Sequence, residues 1–220
     1  MRIYVLERSL LGCGARVDNR SVTDQLYLSL WLERYNRASR LQHFEKLLRL
    51  FPFSQREQPQ SVVSIQAIDT TEPPLLESPL NGPIDVAHVI ATFRDYHGND
   101  IAYGVESWWD LWQFEQDWEL RPARVSLWCF GPDFDNGSEL ERTEQEDLRI
   151  DFGVDTLFLP RTDVPGGARL AESNIKSLLR LVHELESLLP IATRRLETES
   201  GENFADHLQR VLAAGGTQVH

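Results

Sequence analysis

The sequence predicts an α+β protein. Its core would be a largely antiparallel sheet from two β-β-α-β halves, with helices on one face and two more at the C-terminus. Three observations carry this. Leu26, Leu28, Leu30 and Leu32 alternate at period two, the period of a strand with one buried face. Leu41, Phe44, Leu47, Leu48 and Phe51 recur at three and four, the period of an amphipathic helix. The order strand, strand, helix, strand is read in residues 2–68 and again in 87–130.

The elements follow in turn. Arg2 to Glu7 is a short apolar and aromatic run and reads as a strand. Residues 9–24 hold Gly12, Gly14, Asp18 and Asn19 and read as loop. Gln25 to Glu33 reads as a strand despite its leucine content, because alternation outweighs propensity. The helix 38–51 begins at Ala38 and Ser39 and stops at Pro52. Val62 to Ile68 reads as a strand. Residues 69–84 contain Pro73, Pro74, Pro79 and Pro83, so no ladder is expected there and the internal boundary falls in that stretch.

The second half opens with a strand over 87–94. Asp95 to Asp100 then supplies a hairpin turn, and Ile101 to Val105 returns. Ser107, with Asp110 three positions on, reads as a capping-box-like helix start. The expected helix runs from Trp108 to about Glu119, ahead of Pro122. Arg124 to Phe130 is a strand, residues 133–147 an acidic loop, and Leu148 to Gly153 another strand. Ile175, Leu178, Leu179, Val182, Leu185 and Leu189 make one helical stripe stopped by Pro190. Ser200 to Asn203 starts a final helix. The expected organisation is one compact domain over 1–220. Its possible sub-units are 1–72 and 85–160, with a C-terminal helical segment at 168–214.

The chain has 34 acidic and 22 basic residues, net −12. Residues 1–60 hold 10 basic and 6 acidic residues, so the excess of acid lies in the rest. Asp100 to Asp155 alone holds 15 acids against Arg121, Arg124, Arg142 and Arg149. Such a surface repels phosphate backbones, so neither nucleic acid nor an anionic membrane is an expected partner. A basic protein partner, or a second copy of the chain, is allowed. No stretch approaches the ~20 apolar residues of a spanning helix. Leu10-Leu11-Gly12-Cys13 resembles a bacterial lipoprotein cleavage site, but Glu7 and Arg8 interrupt the apolar core such a signal needs. A cytoplasmic address is expected. Two cysteines, Cys13 and Cys129, make no disulfide framework.

The densest unusual feature runs from Trp108 to Trp118, with four of the six tryptophans in it. On a helix, Trp108, Trp112 and Glu115 share one face and Trp109 lies on an adjoining one. Those faces cannot all enter one core. Trp108, Trp109, Trp112 and Glu115 are therefore candidate surface binding residues, suited to a protein hot spot or to stacking on a sugar or cation. Asp133 and Asp135, in the acidic loop, join them as candidates.

Catalytic readings are weaker. Glu106, Asp110, Glu115, Asp117 and Glu119 could supply an acid and a base, but one short helix does not oppose two carboxylates across a cleft. The run Asp133 to Gly137 falls one residue out of register with an EF-hand loop. Gly12-Cys13-Gly14 is only a fragment of a dinucleotide fingerprint. The six histidines show no zinc-ligand spacing. No catalytic residue, metal or cofactor is expected. The reading is a non-enzymatic acidic interaction module that binds a basic protein or itself. The alternative is a small-ligand-binding protein or hydrolase with its pocket between the halves. A deep cleft lined by tryptophans and facing carboxylates would favour the alternative, and a flat acidic surface the module.

Overall fold

The computed structural model describes residues 24–56, 60–135, 145–161 and 164–216. Its strands are β1 (Gln25–Leu32), β2 (Ser61–Ala67), β3 (Leu76–Leu80), β4 (Ile101–Phe114), β5 (Trp118–Cys129), β6 (Leu148–Val154) and β7 (Ile191–Thr198). Its helices are α1 (Arg40–Leu50), α2 (Val86–Arg94), α3 (Gly167–Leu188) and α4 (Phe204–Gly216). The strands form one sheet in the order β3-β2-β4-β5-β6-β1-β7, and every ladder is antiparallel. The α+β class and the antiparallel sheet expected from the sequence are what the chain adopts.

One face of the sheet makes the core. Leu26, Leu28, Leu30 and Leu32 of β1 are buried together, as their spacing requires. Val105, Trp109 and Leu111 of β4, Val125 and Leu127 of β5, and Ile150 and Phe152 of β6 share that layer. Against it pack Phe44, Leu47 and Leu48 of α1, Val89, Ile90 and Phe93 of α2, Leu178, Val182 and Leu185 of α3, and Phe204 of α4. Burying this layer is the main favourable term in folding.

Residues 87–94 are helix, not strand. Val86, Val89, Ile90 and Phe93 recur at helical spacing. The Asp85 carboxylate caps α2 by accepting from Ala87 N (3.0 Å) and His88 N (3.3 Å). With no strand there, Asp95 to Asp100 joins a helix to a strand and is not a hairpin turn.

Residues 108–119 are a β-hairpin end, not a helix. β4 runs through to Phe114 and β5 begins at Trp118, with an unbroken pairing from Tyr103↔Cys129 to Phe114↔Trp118. Trp109 and Leu111 point inward, and Trp108, Asp110 and Trp112 outward, so the tryptophans follow period two. Ser107 is no cap: it is fully buried in β4 and its hydroxyl meets that of Ser61 at 2.9 Å. Aromatic residues favour strands where both faces can be used.

The proline-rich stretch does form a ladder. β3 pairs with β2, and Pro79 lies opposite Val62 on an edge strand, where a missing N–H is tolerated. β7, between the last two helices, adds the other edge beside β1. The second half therefore runs helix-strand-strand, and the β-β-α-β repeat is not reproduced. The expected strand at 2–7, the Gly12–Gly14 fragment and the Cys13 site lie outside the described residues. No helix among them is long and apolar enough to cross a membrane.

Candidate functional site

Among the described residues the second face of the sheet is bordered by helix at its hairpin end, where the start of α3 meets Trp112 and Trp118, and the core-forming helix residues pack on the first face. Alternation places Glu106, Trp108, Asp110, Trp112 and Phe114 of β4 on the second face. Their partners across the ladder are Ser126, Arg124, Pro122, Leu120 and Trp118. Trp128, Arg149, Asp151, Tyr27 and Trp31 continue the face through β5, β6 and β1. Five of the six tryptophans are thus on this face, and only Trp109 enters the core. Trp109 is 4% exposed and packs against Phe51 (5.7 Å), Phe152 (5.8 Å) and Phe158 (6.3 Å).

Arginines and carboxylates alternate with these rings. Glu106 is paired with Arg124, and Asp110 accepts from Ser54 Oγ at 2.6 Å with Arg56 at 3.6 Å. Arg149 lies over Tyr27 (5.5 Å), Arg195 over Trp31 (5.1 Å) and Arg161 over Phe114 (5.2 Å). The chemistry of the face is therefore guanidinium on aromatic, with a carboxylate nearby.

Two clefts open along it. The first, about 570 Å3, forms where β5 parts from β6 beyond the Ser126↔Asp151 pair, and is lined by Gln25, Arg124, Ser126 and Asp151. Burial raises the Asp151 carboxyl above its usual range, against the bond it accepts from Gly153 N. The second, about 610 Å3, lies between the end of the β4–β5 hairpin and the start of α3. Trp112, Asp117, Trp118, Pro165, Arg169 and Leu170 line it. Trp118 is held there because its indole Nε1 donates to Pro165 O at 3.0 Å. The Trp112 backbone is held by Asn174 of α3.

The expected site residues are divided by this geometry. Trp108 and Trp112 share the second face. Trp109 does not, since it is core. Glu115 is in the hairpin turn, with Arg121 at 2.6 Å. Asp133 and Asp135 are elsewhere: Asp133 N donates to Asn99 O, and Asp135 N to Ile68 O, beside the start of β4. Trp112 is eleven residues further along that strand, on the order of 35 Å away. The two clusters lie toward opposite ends of the sheet, and Phe134, between Asp133 and Asp135, packs with Phe130 beside Trp128. Residues 136–144 of the acidic loop lie outside the described residues.

Phe114 and Trp118 lie in the tryptophan-rich run but are not among the candidate binding residues, and Trp31 and Trp128 lie outside that run. Reading 101–114 at period two would have found the β4 members. Trp31 and Trp128 become neighbours of that row only through the strand order. Among the described residues no cluster of His, Cys, Asp and Glu could hold a metal ion. The hairpin cleft has one carboxylate, Asp117, and no second one opposing it among its described lining residues. Comparison of the chain with family models, with curated proteins and with solved structures finds no match.

Proposed function

We propose that this chain is a non-catalytic binding module whose working surface is the second face of the sheet. Its partner is a protein segment rich in arginine or lysine. The observation that carries this reading is the hairpin cleft, whose lining brings together Trp112, Trp118 and Asp117. An indole face with a nearby carboxylate is a receptor for a guanidinium or ammonium group. Tryptophan is also the residue type most enriched where interfaces concentrate their binding energy. The same face already receives three of the chain's own arginines on aromatic rings. The net charge of −12 adds long-range attraction for a basic partner.

The alternative of a hydrolase needs a pair of opposed groups, and the cleft supplies one carboxylate beside the cation Arg169. Its lining therefore favours recognition over acid-base chemistry.

Titration of the full chain with a deca-arginine peptide, followed by tryptophan fluorescence, tests the reading. Trp118→Ala removes no charge, so it separates the cleft from general acidity. The expected result is binding that weakens at least tenfold in Trp118→Ala and in Asp117→Asn, with the far-ultraviolet spectrum unchanged. Equal affinity in wild type and Trp118→Ala would overturn it.

A further inference from the structure

A third pocket lies away from that face, between the first turn of α1 and the start of β4. Its volume is about 430 Å3, and Arg37, Ala38, Arg40, Leu41, His97 and Tyr103 line it. Three of those six side chains are basic, in a chain whose overall charge is strongly negative. No carboxylate is among the described lining residues.

Arg40 is the unusual member. It is 1% exposed, so its charge has been taken out of water. A buried guanidinium ordinarily has a carboxylate partner, because desolvating an unpaired ion costs several kcal/mol. Among the described residues Arg40 has none. Nη1 donates to Ile101 O (3.1 Å), Nη2 donates to the Tyr103 hydroxyl (2.6 Å), and the guanidinium lies 4.5 Å from the Tyr103 ring centre. These contacts use two of the five N–H donors of the fork. Tyr103 in turn donates to Tyr96 O at 2.7 Å. Its hydroxyl is thus fully occupied in holding Arg40, and its role is positioning.

The surrounding charges reinforce the point. Arg37 and His97 are exposed at the rim of the pocket, and Arg40 forms its floor. The first turn of α1 has no acidic residue. Cations at a helix N-terminus oppose the macrodipole, which favours an anion there. Asn36 already satisfies the local backbone, accepting from Ala38 N (2.9 Å) and Ser39 N (3.1 Å) through its side chain. The uncompensated feature is therefore side-chain positive charge, concentrated at one concave place.

We propose that this pocket binds a phosphate group, either free or as the monoester of a small molecule. A tetrahedral group with three exposed oxygens can take the remaining Arg40 donors from below and Arg37 and His97 from the rim. A planar carboxylate would engage one fork and leave the other donors unmatched. The volume exceeds what one phosphate needs and is in the range of small-ligand pockets. Ala38 and Leu41 give the rest of a monoester an apolar wall.

The test uses the full chain, titrated with sodium phosphate, phenyl phosphate or sodium acetate at constant ionic strength set by chloride. Calorimetry gives the affinity, and amide chemical shifts give the location. The expected result is saturable binding of phosphate or phenyl phosphate, with shifts confined to residues 37–41 and 97–103. Arg37→Gln, an exposed change that leaves Arg40 in place, should weaken it about tenfold, the equivalent of ~1.4 kcal/mol. Equal affinity for the two phosphates means the free anion is recognised, and tighter phenyl phosphate means a monoester; both support the proposal. Acetate binding as tightly as phosphate, no saturable binding, or an unchanged affinity in Arg37→Gln would overturn it.

Discussion

The side-chain amide of Asn174 completes the edge of β4 at Trp112. Its Oδ1 accepts from Trp112 N at 2.9 Å, and its Nδ2 donates to Trp112 O at 2.9 Å and to Leu157 O at 2.7 Å. β2 pairs with β4 only as far as Glu106, so the edge beyond needs other partners. Ser54 N supplies one at Trp108 O, and Asn174 the next. A helix side chain thus stands in for a missing strand. It also fixes α3 against the hairpin, which shapes the cleft of Trp112 and Trp118.

Asn174→Asp keeps size but loses both donations, and sets a carboxylate against two carbonyls. The expected cost is about 2–3 kcal/mol of stability, since Asn174 is 2% exposed and its partners would be left unsatisfied. Urea denaturation of the two proteins measures it. A loss below about 0.5 kcal/mol would show that water replaces the amide freely.

Trp109 and Trp118 should separate stability from binding. Trp109→Ala empties space among Phe51, Phe152 and Phe158, and should cost about 3–5 kcal/mol. Trp118→Ala, at the hairpin end, should cost about 1 kcal/mol or less. Comparing their urea midpoints checks the order, and reversed values would contradict the assignment of faces.

Asp147 makes stability depend on acidity. Burial pushes the Asp147 carboxyl up to about 6, against the bond it accepts from Leu32 N and with help from Glu146. In the unfolded chain it titrates near 3.9, roughly as a free aspartate does. The fold therefore prefers its protonated form. That stabilisation is fully present below about pH 4 and is lost as pH rises through about 6. His43 acts in the opposite sense. Burial, and then Lys46, lower its pKa, so its contribution is present above the unfolded value of about 6.5 and is lost as pH falls. Asp147→Asn isolates the first effect. Relative to wild type it should gain stability between pH 5 and pH 7.5, read as the difference in urea midpoints. A difference that stays constant across that window would disprove the assignment.

Ile68 has φ of +73°, in the left-handed region that β-branched residues avoid, and it is 59% exposed. Its backbone is held by Asp100 O and Asp135 N. Little burial is lost on substitution, and the strain is of order 1–2 kcal/mol. Ile68→Asn should therefore stabilise the protein by about 1 kcal/mol, or a few degrees in melting temperature. A lower melting temperature would mean the isoleucine side chain contributes more than its backbone strain costs.

Local periodicity settled part of this architecture before any tertiary contact was known. Leu26 to Leu32 could hide four leucines only as a strand, and Ile175 to Leu189 could hide theirs only as a helix. Those patterns, with the α+β class they imply, are properties of a few neighbouring residues. Residues 87–94 and 108–119 were ambiguous for the same reason. Val86, Val89, Ile90 and Phe93 keep helical spacing over only a short run, and a cap at Asp85 fixes the helix. The four tryptophans from Trp108 to Trp118 fit either period. The long pairing with residues 118–129 decided for strand, because it satisfies one edge of that backbone along its whole length. Both candidate sites depended on such distant partners. The hairpin cleft needs α3 beside Trp112, and the Arg40 pocket needs Tyr103 of β4 beneath α1. The sequence by itself determined which residues seek burial. Which side chains meet was decided by strand order and helix docking, since those bring together groups 50 or more positions apart that no local spacing encodes.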